Sequence, residues 1–562
     1  MSIRTNRMKA VPTLLKSLVT VEKYANLKDL KSELIKIKDL FSIVKRNEDE
    51  LLDTLTLVDG YIRNSNVLTL MKEKEAICQR IRDSAKKLLP AIATDQSSEK
   101  TFQDEKLDKG EEVHEIKLSP ETFKVHYNEL DRLHKRFFLS LLLFPKDAVI
   151  KKSTIHFWWA SVVGYIMIGQ FEIVFEYLST RKLIVPHGNG KCPVVNKFKI
   201  NPCVSDMSVW PLVKNDEEQL CGIYSKLIAP SHHHPNTSHR SLVLDQRKVK
   251  LGDEFGFKST HWRAVFNVGA SYLSLAPQWI AKMKQLEVLQ LGRWLHDSPT
   301  HHIEVDNEEF FKELRDQKHL KYLSLRGISR IFELPPSIFQ LHSLAILDLK
   351  ACHNLERLPN DIAPLINLRH LDLSQCYLLD RMPKGIEKLT NLEVLKGFLI
   401  GSSSKSLYQI SDLENLKNIE RLSIHIGSGA VIQGGSESLG KLSKLEHLKI
   451  SWSVSGTKYT DFNINLLLNL KKLHLEGFPE KDFPRWFGPS NLPVLKELNL
   501  TGGKLESMGH AELGLSKLEI VRLKYLKCLN VDPEKLQALF PSLRYAEIKD
   551  VQNLQYREWI KQ

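Results

Sequence analysis

Three stretches of this sequence place residue types at spacings that chemistry uses. Gly435-Ser-Glu-Ser-Leu-Gly440-Lys441 has the spacing of a phosphate-cradling loop, in which backbone N–H groups and a lysine hold the phosphates of a nucleotide. Yet Leu442 stands where a hydroxyl should bind magnesium, and Leu439, Leu442 and Leu445 continue an apolar period with no feeding strand and no helical crossover. The stretch reads as scaffold. His232, His233 and His234, with His239, form an imidazole cluster of the kind that holds transition metals. Consecutive side chains rarely converge on one ion, no nearby cysteine or carboxylate completes a ligand set, and Pro and Ser flank the run, so an exposed linker explains it better. No Gly-x-Ser-x-Gly elbow, His-Glu-x-x-His pair or kinase signature occurs. The sequence therefore predicts no catalytic residue, no cofactor and no metal. The third stretch is a series of polar side chains between spaced leucines: Tyr322, Arg326, Asp348, Lys350, His370, Asp372, His447, Lys449, Trp452, His474 and Glu476. Charged and aromatic groups carry much of the energy at protein interfaces. This series points to protein recognition, with plain solvation as the alternative. His447 and His474 read as equivalent positions of adjacent units, which predicts imidazoles that repel when charged and binding that weakens below about pH 6.5.

What must position these side chains is the leucine pattern itself. Leu344, Leu347, Leu349 and Cys352 recur 24 residues later as Leu368, Leu371, Leu373 and Cys376. Further copies start at Leu286, Leu320, Leu392, Ile419, Leu445, Leu470, Leu495, Leu518 and Leu543, and from Leu320 onward the starts lie 23 to 27 residues apart. That period and the Leu-x-x-Leu-x-Leu-x-x-Cys pattern are those of a leucine-rich repeat. No single unit can close its own core, so neighbours must stack into a solenoid. Short strands then line a concave face, and the residues between the core leucines point outward from it.

The 80 Lys and Arg against 67 Asp and Glu give a net charge of +13, spread along the chain instead of gathered in a tail. A solvated surface explains this better than nucleic-acid binding, for which no motif is present. The N-terminal MSIRTNRMKAVPTLL is broken by Pro12 and is no secretory signal, and it lacks the glycine that myristoylation requires. The apolar run Ile155 to Ile168 spans 14 residues, short of the roughly 20 that cross a bilayer. It reads as a buried helix. Seven cysteines, two of them at equivalent repeat positions, fit a reduced, cytoplasmic protein, with peripheral attachment to the plasma membrane as the nearest variant.

The expected fold class is α/β, with a helical N-terminus and a leucine-rich solenoid. Leu27, Leu30, Leu34, Ile37, Phe41 and Val44, then Leu51, Leu55, Val58 and Ile62, step by three and four as a heptad seam, with a turn near Glu48. A third periodic stretch runs from Val67 to Leu89 and stops at Pro90. This predicts a helical bundle over 1–90, a polar linker over 91–118, a distinct segment over 119–225, a second linker over 226–240 and repeats over 241–562.

The segment at 119–225 carries a resemblance. Leu133-His-Lys-Arg-Phe-Phe-Leu139 and Leu143-Phe-Pro-Lys-Asp147, then Trp158 and Trp159, then Leu178, Arg181, Leu183 and Ile184, resemble the winged-helix part of plant NLR disease-resistance proteins of the coiled-coil class. The family motif reads approximately LKRCFLYCSLFPED. A full member carries a nucleotide-binding domain between bundle and winged helix. Here only about 28 polar residues stand in that place, where even small domains need roughly 50. The family's Met-His-Asp sensor lines up with Ile200-Asn201-Pro202, and its acidic bundle signature with Leu55 to Asp59, of which only Asp59 is acidic. The resemblance thus implies a truncated form without a nucleotide switch. Its implied role is an adaptor, decoy or modulator of defence that binds a pathogen effector or guarded host protein through the repeats, or a full-length NLR through the bundle. Two other readings stand beside it. One is the substrate-recognition subunit of a ubiquitin ligase, although no F-box-like segment occurs in the first 60 residues. The other is a nucleotide-switched receptor with a mispredicted gene model.

Overall fold

The computed structural model describes most of residues 72–88, 118–220 and 241–560, together with single positions before residue 72. The chain divides into two compact units, Met1–Asp108 and Lys109–Gln562. In the first, Leu30, Leu34 and Val58 of the predicted seam are helical and fully buried. Helix α1 (Lys74–Leu88) buries Ile77, Cys78 and Ile81 as one stripe, and Tyr61 Oη donates to Glu73 Oε2 at 3.0 Å. The other seam positions (Leu27, Ile37, Phe41, Val44, Leu51, Leu55, Ile62), the turn at Glu48, residues 91–117, Trp158 and the histidines at 232–234 and 239 lie outside the described residues.

The second unit opens with α2 (Pro120–Asn128), α3 (Arg132–Leu141), β1 (Ile150–Lys151), α4 (Ile168–Thr180), β2 (Ile184–Pro186), β3 (Lys197–Ile200) and α5 (Trp210–Leu220). Local sequence sets the helix starts. Ser119 caps α2 by accepting from Thr122 N, with Pro120 at the first helical position, and Asp131 caps α3 by accepting from His134 N at 2.8 Å. The three strands form an antiparallel sheet in the order β1-β3-β2. Phe123, Tyr127, Phe137, Phe138, Trp159, Phe171, Phe175 and Phe198 pack edge to face or stacked into an aromatic core. Asn201, aligned with the family sensor, is structural: its Nδ2 donates to Lys182 O at 2.8 Å and its Oδ1 accepts from Cys203 N. Arg181 pairs with Glu129 at 3.3 Å and stacks over Tyr177.

From β4 (Ser241–Leu244) the chain becomes a stack. One sheet takes β4, β6 (Ala264–Asn267), β8 (Val288–Gln290), β10 (Tyr322–Ser324), β11 (Ile346–Asp348) and β12 (His370–Asp372), all parallel. It continues through β13 (Val394–Ile400), β14 (Arg421–Ile426), β15 (His447–Trp452), β16 (Lys472–Phe478), β17 (Glu497–Gly503), β18 (Ile520–Lys524) and β19 (Tyr545–Val551), and ends on antiparallel β20 (Leu554–Ile560). A smaller parallel sheet of β5 (Lys248–Leu251), β7 (Tyr272–Leu275) and β9 (Glu304–Val305) lies beside the first repeats.

The leucines of the repeat pattern face one continuous core, and Leu347, Leu371, Leu395, Leu422, Leu448, Leu473 and Leu498 are nearly or fully buried there. Each such burial stabilises by roughly 1.5–3 kcal/mol. Two ladders tie successive units together, of which the sequence reading singled out only the cysteines. Asn367, Asn391, Asn418 and Asn469, each just before a core residue, donate Nδ2 to a carbonyl of the preceding unit at 2.7 to 2.9 Å. Cys352 and Cys376 donate their thiols to Leu325 O and Leu349 O, both at 3.1 Å, and burial pushes the Cys352 thiol up to about 12.

A bulge at Gly397 divides the stack. The register between β13 and β14 shifts between Lys396 and Phe398, Gly397 has φ 77°, and a Cβ there would lie 2.5 Å from the Leu373 carbonyl carbon. Before it the strands of the large sheet have three or four residues; from β13 onward they have five to seven. The longer strands add a third outward row to the face.

Candidate functional site

Strand register places the outward side chains in rows. The first row runs Ala264, Val288, Tyr322, Ile346, His370, Val394, Arg421, His447, Lys472, Glu497. The second runs Phe266, Gln290, Ser324, Asp348, Asp372, Lys396, Ser423, Lys449, His474, Asn499, Arg522, Glu547. At the front the first row is apolar and the second opens on Phe266 before turning polar at Gln290, and the reason for the apolar positions is direct. Val243, Ala264, Phe266, Val288, Tyr322 and Ile346 share one buried cluster with the aromatic core of α2–α5. Phe144 meets Trp294 edge to face at 5.0 Å. The chain's own helical module covers the front of the strand-lined face. It also reaches further: Cys192, between β2 and β3, accepts at its Sγ from Arg522 Nη2 at 3.1 Å, and burial lowers Arg421 against the opposing pull of Glu420 and then of Glu172 on α4.

Between these lies a charged cluster. Tyr322, Asp348, His370 and Asp372 are buried, and Arg326, Lys350 and Lys396 are partly buried beside them. Ser324 Oγ donates to Asp348 Oδ2 at 3.2 Å, with Arg326 at 4.0 Å from the same carboxylate. Burial pushes the Asp348 carboxyl up against the pull of Arg326. Burial also pushes Asp372 up, but Lys396 at 3.6 Å, then Lys350 and His370, outweigh it and hold the carboxyl below the usual range. Burial, with Arg326 nearby, brings the Lys350 ammonium down to about 8. The sequence brought Tyr322, Arg326, Asp348, Lys350, His370 and Asp372 to the expected face. It did not reveal that this part of the face is largely covered.

Two expectations need correction. Trp452 is not an outward aromatic: it alternates inward with Leu448 and Ile450, is buried in the repeat core and meets Phe478 edge to face at 5.5 Å. His447 and His474 are not equivalent either, since His447 pairs with Lys472 and His474 with Lys449. The two histidines sit in different rows. Burial, then Arg421 and Lys472, bring His447 down to about 3, so it stays neutral through the physiological range, and the predicted imidazole repulsion has no basis. His474 Nε2 lies 3.1 Å from Thr501 Oγ1 instead.

Beyond His447 the face carries ion pairs between neighbouring strands. Lys449 pairs with Glu476 at 2.6 Å, Lys472 with Glu497 at 2.7 Å and Lys524 with Glu547 at 2.6 Å. Arg522 bridges Glu497 and Glu547, and Asn499 donates to Glu497 at 3.0 Å. Burial raises Glu497, but Lys472 and Arg522 outweigh it and leave its carboxyl below the ordinary value. Sequence reasoning found Lys449, Glu476 and His474 and missed Lys396, Lys472, Arg522, Lys524 and Glu547. Most of these lie beside a core residue in the same alternating frame, which was the available signal.

The phosphate-loop spacing resolves as scaffold. Gly435–Gly440 is a short helix, Leu439 and Leu442 are core residues, and Lys441 Nζ pairs with Glu414 Oε2 at 2.9 Å. Among the described residues no group of His, Cys, Asp and Glu could hold a metal, and no helix is long and apolar enough to cross a membrane.

Residues 261–557 match the family described as a leucine-rich repeat region. The chain belongs to the leucine-rich repeat family. It is also 28% identical over 460 residues to disease resistance RPP13-like protein 4 of Arabidopsis thaliana, covering 79% of this chain and 51% of that relative. The resemblance to plant disease-resistance proteins thus extends well beyond the repeats, and the chain spans about half the length of this relative. Leucine-rich repeats of solved structures are similar at a lower level. The ectodomain of the plant membrane receptor kinase GASSHO1/SCHENGEN3 from Arabidopsis thaliana, in complex with Casparian strip integrity factor 2, is 17% identical, with 56% of this chain and 38% of that chain covered and a TM-score of 0.35. The plant peptide hormone receptor RGFR1 in complex with RGF2 is 19% identical, with 55% and 50% covered and a TM-score of 0.33. At these scores neither likeness carries an argument.

Proposed function

We propose that this leucine-rich repeat protein is a non-catalytic, cytoplasmic component of plant defence that recognises a protein partner through the strand-lined face of its later repeats. The observation that carries this reading is the division of that face: an apolar front sealed by the chain's own helical module, and a charged rear of ordered ion pairs on β15–β19. The module over α2–α5, with its three-stranded antiparallel sheet, fits a winged-helix remnant. The buried Leu30, Leu34 and Val58 fit an N-terminal helical bundle able to pair with a full-length NLR. The partner is then a pathogen effector or a guarded host protein, and the chain acts as adaptor, decoy or modulator. Asn201 and Lys441, engaged in structural contacts, support a switch-free reading.

The test is a photo-crosslinking residue placed at Lys549 on β19 and, as control, at Lys318 away from that row, in protein expressed in infected plant tissue. Capture of a protein partner from position 549 alone is the expected result; equal capture from both positions sinks the recognition reading. Calorimetry with ADP and ATP on the whole chain should show no stoichiometric binding, and a bound nucleotide would restore the switched-receptor reading.

A further inference from the structure

The paired lysines of the rear face share an arrangement that identifies what they are built to meet. In every pair the carboxylate is the deeper partner. The Lys449 side chain is 39% exposed over Glu476 at 16%, Lys472 34% over Glu497 at 11%, and Lys524 32% over Glu547 at 16%. The carboxylates come from neighbouring strands, so the sheet itself fixes them, and each holds an ammonium above it. An ammonium has three N–H donors and no acceptor. Ser, Thr and Asn side chains (Ser451, Thr501, Asn499) lie between the pairs, and Lys549 adds a further cation on β19, 5.8 Å from the Tyr525 ring. Along β15–β19 the outward positions thus present five cations, Arg522 included, against Glu476, Glu497 and Glu547.

From this we infer that the rear face binds an acidic segment of a protein partner, whose carboxylates accept from the outer donors of Lys449, Lys472 and Lys524. The inference rests on the recognition reading above and names the chemistry of its partner. Four strand steps separate β15 from β19, about 19 Å at the usual spacing, which an extended segment of about six residues spans. The pairing below serves that purpose. The carboxylates set where the ammoniums stand and compete with the ligand for them, so the pairing gives the face its register at some cost in affinity. The same carboxylates argue against a nucleic acid. Phosphate backbones are held by dense cation without opposing charge, and single strands stack successive bases on several outward aromatics, whereas Trp452 and Tyr545 are buried and Tyr525 alone of these three rings is exposed.

The probe is a fluorescent deca-glutamate peptide titrated with the whole chain and followed by anisotropy, at about 50 mM and about 500 mM salt. Saturable binding that weakens with salt is expected. The triple variant Lys449→Gln, Lys472→Gln, Lys524→Gln should weaken it about tenfold, which is roughly 1.4 kcal/mol. Glu476→Gln should strengthen it severalfold by releasing Lys449, a gain that mere surface scaffolding would not give. Far-UV circular dichroism shows that each variant is folded. Absence of binding at low salt, unchanged affinity in the triple variant, or equal binding of a deca-thymidine oligonucleotide would each overturn the inference. Crosslinking of a partner at position 549 without deca-glutamate binding would overturn the acidic-segment inference and leave the recognition reading standing. Deca-glutamate binding with no partner captured would overturn the recognition reading and with it the protein partner, and would leave only the affinity of this face for acidic chains.

Discussion

Phe266 of β6 and Asn499 of β17 hold corresponding places in the same outward row of one sheet. Phe266 is sealed among the aromatic residues of the helical module, whereas Asn499 is partly exposed and donates to Glu497. The core rule beneath them does not change, since Val265 and Leu498 are both fully buried. A repeat therefore constrains its inward leucines and leaves its outward residues free to follow whatever lies opposite. At the front that is the chain's own module, and at the rear it is solvent or a partner.

Introducing a carboxylate in each half tests this contrast most severely. Phe266→Glu places an unpaired charge in an apolar interface and should cost about 3–5 kcal/mol in denaturant unfolding, while Asn499→Glu should cost less than about 1 kcal/mol. Similar costs at both sites would end the distinction. The next test removes one member of an ion pair. Asp372→Ala leaves Lys396 and Lys350 without their main counter-charge and should destabilise by about 3 kcal/mol. Glu547→Ala at the open end should cost about 1 kcal/mol or less, shrinking further in 0.5 M salt.

A third test uses pH at the border between the halves. His447 has a folded value of about 3 against an ordinary 6.5, so the unfolded chain binds the proton that the folded one refuses. Its contribution is complete above pH 6.5 and is lost as the pH falls from there towards 3. Compared with His447→Gln, the unaltered protein should lose on the order of 2 kcal/mol more between pH 7 and pH 4.5. Arg421, Lys472, Glu497 and Lys396 face this imidazole, and only the difference between the two proteins isolates it. Identical pH profiles would show that His447 is hydrated. The last test concerns Lys350, whose value of about 8 against an ordinary 10.5 means that raising the pH from 8 to 10 should stabilise the protein by on the order of 2 kcal/mol. Lys350→Gln should flatten that rise.

The repeat core was open to direct reading because burial there depends only on the spacing of leucines along one strand and one turn. Leu347, Leu371 and Leu395 could be assigned without knowing what surrounded the stack. The same logic located the outward positions of Asp348, Lys449 and Glu476. It failed at Trp452, where the lengthened strand after the Gly397 bulge carries the alternation one pair further and turns the ring inward. It failed again for His447 and His474, since a shift of two residues in counting moves a side chain to another row.

By itself the sequence determined the stack, its core and the set of side chains that the strands present, because each follows from a period shorter than one repeat. Only the tertiary structure decided which of those side chains remain available. The packing of α2–α5 against β4–β11, and the reach of Cys192 to Arg522 across 330 residues of chain, join segments that no local period relates. The apolar run Val243, Ala264, Phe266, Val288, Tyr322 and Ile346 records that contact in the sequence, but its meaning depends on a surface folded elsewhere in the chain.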